Sequence, residues 1–211
     1  MEELLERGRR TLEEYIGLPE GILTRVFSTD DWTFVLQIHG LLDAAVDHLV
    51  TSNLDEPTRS WVSRLDLQSG KGSKVSFGVA HGTLSSADQA FIRNLSALRA
   101  AFAHDIRMTA VPLAEFLSKE EGKSYFDGLV ASAFLGKGMP VEESEKKEWL
   151  SRRPRDVLFA AVSDFISRAF DIKVKDRHAL LTEDGAAITT EDGRVLLDEA
   201  APADLSWRED P

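Results

Sequence analysis

The chain of 211 residues contains no cysteine. Disulfide bonds, thiolate nucleophiles and cysteine metal ligands are therefore excluded. It also lacks a run of about 18 apolar residues, so no segment reads as a membrane span. Its opening stretch, MEELLERGRR, is charged where a signal peptide is apolar. A cytoplasmic protein is expected. Cations are scarce relative to anions: 25 Lys and Arg face 36 Asp and Glu, a formal net charge of −11. A protein that coats nucleic acid neutralises phosphates with clustered Lys and Arg. Any phosphate-binding groove must therefore be local. Several chemical signatures are missing as well. There is no G-x-S-x-G elbow, dinucleotide fingerprint, H-E-x-x-H or calcium loop, and QSGKGSK (68–74) lacks the spacing of a phosphate-binding loop. No cofactor is expected.

What remains is the composition of a globular protein, 43% hydrophobic and 29% charged. Apolar residues recur at helical spacing. Leu4, Leu5, Leu12 and Ile16 make one side of a first helix, which Gly17-Leu18-Pro19 ends. A second helix starts at Asp30 or Asp31 and carries Trp32, Val35, Leu36, Leu42, Ala45, Val46 and Leu49. Residues 51–60 turn polar, with Pro57. A short helix is expected over about 74–80. Ser85 or Ser86 caps the next helix, with Asp88 in its first turn, and that helix runs to about 107. Pro112 suits the first turn of another short helix. Further helices are expected over 123–135 and over 154–170, the last with Val157, Leu158, Val162, Phe165 and Ile166 as its stripe. The fold class is all-α, a helical bundle. Three parts are expected: an N-terminal helix and linker (1–27), a helical domain (28–172) and an acidic extension (173–211).

The extension differs in character. Residues 171–211 hold 11 acidic and 5 basic residues, and TEDG occurs at 182–185 and again at 190–193. Asp-Gly is a turn signal, so the extension reads either as a small β-meander or as a weakly ordered tail. Its charge also suits a nucleic acid mimic that covers a basic groove.

The stretch SALRAAFAHD (96–105) sets an arginine and a histidine among alanines. Five positions turn a helix by about 500°, so Arg99 and His104 lie about 140° apart on an ideal helix. Arg93, Ala97, Ala100 and His104 match one face better, at spacings of four, three and four. The alanines on it admit a close neighbour, either another helix of the chain or a second subunit. In one reading Arg99 pairs with an acid such as Asp43, and His104 caps the helix end. In the other the two form a site. Arginine stays charged and grips phosphate oxygens with parallel N–H groups, and histidine moves protons near neutral pH. Those are the two needs of metal-independent RNA cleavage by the ribose 2′-OH.

GKGSKVSFGVAHGTLSSADQAFIRNLSALRAAFAHDI resembles a segment of the mannitol operon repressor family, which is similar to the wider HEPN superfamily of helical domains. The HEPN mark is an arginine and a histidine separated by four to six residues; Arg99 and His104 have four between them. The resemblance implies a HEPN-like bundle that pairs into a homodimer, with Arg99 and His104 meeting at the dimer seam as a ribonuclease pair of toxin or phage-defence type. It implies RNA, or a cognate antitoxin or regulatory protein, as partner. Its mannitol-type members imply a different role, a non-catalytic regulator acting by protein contact. The family usually carries a polar residue after the arginine, where this chain has Ala100. Asn94 does follow an arginine, Arg93, but earlier in the helix.

Three further groups are candidates. Asp43, Arg93 and Asn94 are placed to orient the Arg-His pair. Lys146, Lys147, Arg152, Arg153 and Arg155 surround Trp149 in EKKEWLSRRPRD (145–156), a pattern that holds single-stranded RNA by phosphate contact and stacking, or else a solvated connection between helices. His39, Asp43 and Asp47 have metal-ligand spacing, but nothing supplies the remaining ligands, and no metal is expected.

Overall fold

The computed structural model describes residues 12–14, 16–68, 70–134 and 142–170. Residues 171–211, with the expected β-meander or tail, lie outside them. The described residues hold helices and no strand, an all-α fold. In chain order the helices are α1 (Ile22–Ser28), α2 (Asp31–Thr51), α3 (Glu56–Val62), α4 (Lys74–Ala80), α5 (Ser86–His104), α6 (Leu113–Ser118), α7 (Lys123–Ser132), α8 (Glu143–Arg152) and α9 (Pro154–Ala169).

Local chemistry sets most boundaries. Gly17, at φ 70°, closes the helical turn before it: its N–H reaches Glu14 O and the Leu18 N–H reaches Glu13 O at 2.9 Å. Only glycine adopts that left-handed geometry freely. The buried Glu13 carboxylate then accepts from the backbone N–H groups of Gly21 (2.7 Å) and Leu23 (2.5 Å), tying this turn to the start of α1. Asp30 caps α2 by accepting from Thr33 N. Ser85 and Asp88 form a reciprocal capping box on α5.

Three boundaries differ from the sequence reading. The polar stretch after residue 51 holds α3, because Pro57 sits in its first turn, where a missing N–H removes no helix bond. Helix α5 ends at His104 instead of about 107. Asp105 takes an extended conformation, and its carboxylate caps the following 3-10 turn (Ile106–Ala110) by accepting from Arg107 N. The basic stretch after Glu142 is itself helical, α8, and Arg153 separates it from α9.

Helix α2 runs antiparallel to α5: Trp32 meets Phe102 at one level and His39 meets Ser96 at another. It runs parallel to α9, with Asp31 against Arg155 at one end and His48 stacked on Phe170 at 3.9 Å at the other. Phe34, Ile38, Leu42, Leu95, Leu98 and Phe165 are among the side chains sealed between these three helices and their neighbours. Arg168 near the end of α9 pairs with Asp88 at the start of α5, at 2.9 Å.

Helix α7 closes on α5 through Gly128. Asn94 Nδ2 donates to Gly128 O (2.8 Å) and to Ser132 Oγ (2.9 Å). A Cβ at position 128 would stand 2.8 Å from Asn94 Oδ1. Gly128→Val is therefore expected to destabilise the fold by about 2 kcal/mol, seen as a lower urea midpoint. Adding Asn94→Ala should restore part of that loss, since the side chain in the way is gone; no recovery would mean that the clash lies elsewhere.

Candidate functional site

Phe91, Ile92, Leu95, Leu98 and Phe102 are buried and hold one side of α5 in the core. The opposite side then faces out by geometry. Arg93, Ala97, Arg99 and His104 are exposed, and Ala100 is half-buried. The face predicted from the spacing of Arg93, Ala97, Ala100 and His104 is thus an outer face among the described residues, and packing against them does not account for Ala97.

Arg99 and His104 occupy the C-terminal half of α5, and among the described residues neither makes a hydrogen bond or an ion pair. His104 is the last helical residue, where a cation is favoured by the helix dipole. Its neighbour Asp105 is engaged elsewhere: Arg107 forks onto that carboxylate at 2.6–3.0 Å. Those hydrogen bonds from the Arg107 side chain, with one from its backbone, hold the Asp105 carboxyl below its ordinary value. The helix end itself is fixed by Trp32, whose indole N–H donates to the Phe102 carbonyl at 2.8 Å. That carbonyl has no partner within the helix, because it belongs to the last turn.

Next to Arg99 the α2–α5 seam is polar. His39 Nε2 and Ser96 Oγ are 2.9 Å apart, and Arg99 lies one turn beyond Ser96. Burial pushes the His39 imidazole below its ordinary value; the Arg99 charge acts in the same direction and Asp43 opposes both. Asp43 does not take Arg99 as its ion partner. The Lys74 ammonium, reaching across from α4, lies 2.9 Å from Asp47 Oδ1 and 3.8 Å from Asp43 Oδ1. Lys74 occupies the place between the two carboxylates, and no group of three or more His, Asp or Glu suited to a metal occurs among the described residues.

No protein-family model, curated protein or solved structure matches the chain.

The remaining predicted residues divide by location. Asn94 faces α7 and is occupied by its bonds to Gly128 and Ser132, so the structure does not bring it to Arg99. Arg93 shares the outer face of α5. The five cations of 145–156 lie on α8, at the start of α9 and, for Arg153, between the two. Lys147 pairs with Glu143, Arg152 with Glu148, and Lys146 lies 5.8 Å from the centre of the Phe134 ring. Arg155 is internal. It donates to Phe27 O, Thr29 O and Asp31 Oδ1 while stacking 4.6 Å over the Phe34 ring. An open cleft of about 590 Å³ beside it is lined in part by Thr24, Ser28, Arg152, Arg153 and Asp156.

The sequence reading missed Lys74 and Ser96. Ser96 stands at i−3 from Arg99, and that spacing was an available signal. Lys74 had none, because only the packing of α4 on α2 brings it to the carboxylates.

Proposed function

We propose that the chain is a HEPN-like, RNA-targeting protein that cleaves RNA without a metal, in the manner of a toxin or phage-defence endoribonuclease. The observation that carries this reading is the pair Arg99 and His104. They are exposed together on one helix whose other side is fixed in the core, and among the described residues no acid pairs with either, in a chain with a net charge of −11. Arg99 holds the phosphate and stabilises the charge that builds on it. His104 moves a proton between the ribose 2′-OH, the phosphate and the leaving 5′-oxygen. Two copies are paired through the outer face of α5. Ala97 permits close approach there, and Ile106, an apolar side chain two residues beyond His104, is 83% exposed.

The test is cleavage of a mixed panel of RNAs by protein freed of bound inhibitors. His104→Ala should reduce cleavage by about a hundredfold or more, with an unchanged circular dichroism spectrum. Intact RNA across the whole panel with wild-type protein sinks the nuclease.

Ala100 favours a second reading, a non-catalytic regulator similar to the mannitol repressor type, because an apolar residue follows the arginine. That reading expects a stable complex with a protein partner that survives both Arg99→Ala and His104→Ala.

A further inference from the structure

The half-buried seam beside Arg99 holds a second histidine that the Arg-His spacing does not include. We infer that His39 and Arg99 together form a phosphate-binding site at the α2–α5 seam, and that His39 takes up a proton when a phosphate is held there. This rests on the RNA-targeting reading above and adds to it a second group that meets the phosphate.

The geometry is specific. Ser96 fixes the His39 ring at 2.9 Å, one helical turn before Arg99. Arg99 is exposed, so its guanidinium is open to an incoming anion, while His39 and Ser96 are half-buried in the wall beside it. The charged groups that act on the ring are Arg99 from α5 and Asp43 from α2; Asp43 shares Lys74 of α4 with Asp47, one turn further along α2. Lys74 is held on the two carboxylates. Arg99 and Asp43 act on the ring in opposite directions. A phosphate on Arg99 adds negative charge beside the His39 ring. Protonation of His39 offsets that charge and adds a donor to the phosphate. Burial and the Arg99 charge disfavour the protonated ring, Asp43 opposes them, and a phosphate that offsets the Arg99 charge shifts this balance toward protonation.

The ligand chemistry is a phosphate oxygen, whether of a free anion or of an RNA phosphodiester. Long-range ¹H–¹⁵N NMR of the full chain follows the titration of each of its five histidines, with His39→Asn to assign the resonance. Inorganic phosphate, compared with chloride at equal ionic strength, should move the His39 midpoint to higher pH. Arg99→Gln should raise the midpoint of the free protein and abolish the response to phosphate. A 2′-O-methyl RNA, which lacks the nucleophile, distinguishes the sources: a response to it assigns the site to phosphodiesters, and a response to inorganic phosphate alone assigns it to small anions. A His39 midpoint unmoved by either probe overturns the inference. Cleavage of RNA by a protein with unmoved His39 leaves the nuclease standing without this site. A moved His39 in a protein that cleaves no RNA leaves the site standing without the nuclease.

Discussion

Replacing Arg155 with methionine is expected to lower the unfolding free energy by about 3 kcal/mol. The methionine keeps an unbranched apolar side chain but removes every donor and the guanidinium that lies over Phe27 and Phe34. Left behind are the carbonyls of Phe27 and Thr29 and the Asp31 carboxylate, all at the meeting point of α1, α2 and α9. Asp31 and Arg155 are each less than a quarter exposed, so water compensates poorly. Asp31 also accepts from Leu113 N at 2.6 Å, which ties the start of α6 to the same node. Asp31→Asn should therefore cost less than Arg155→Met, since an amide oxygen still accepts one of these bonds. Urea unfolding of both variants checks the order. Equal losses, or a loss below about 1 kcal/mol for Arg155→Met, would show that the node behaves as a surface ion pair.

The other large effect is expected at Phe102. This side chain is fully buried and meets the Phe116 ring edge-on, with centroids 5.4 Å apart. Phe102→Ala opens a cavity in the core and should cost about 4 kcal/mol, with Phe102→Leu losing much less because leucine fills most of the space. The ring lies between Arg99 and His104 in sequence and anchors the helix end that presents them. Its truncation should therefore loosen the outer face as well. Hydrogen exchange of the last turn of α5 reads this out: faster exchange in Phe102→Ala is expected, and unchanged protection would show that the Trp32 bond to the Phe102 carbonyl holds the end alone.

Much of the helical framework was legible in the chain because its causes are local. The Asp30 cap, the Ser85–Asp88 box, Pro154 in a first turn and the apolar stripes of α2, α5 and α9 all act within a few residues. The misplaced features have causes that local pattern conceals. Pro57, in a stretch that reads only as polar, sits in the first turn of a helix. The end of α5 moved because Asp105 turned from the helix to cap the next turn, a competition between two local uses of one carboxylate.

The sequence by itself determined the all-α class, the positions of most helices and the spacing of Arg99 and His104, because periodicity and capping are short-range. It also implied that any phosphate-binding groove must be local, because the net charge is −11. Only the tertiary structure decided which polar residues meet. The antiparallel register of α2 on α5 puts His39 against Ser96 and beside Arg99; the packing of α4 gives Asp43 and Asp47 to Lys74; and α7 takes Asn94. Arg155, grouped by sequence with the candidate RNA-binding cations, became a half-buried tie of three helices for the same reason. Such pairings join residues tens of positions apart, and they are set by how buried faces fit together, which no local spacing encodes.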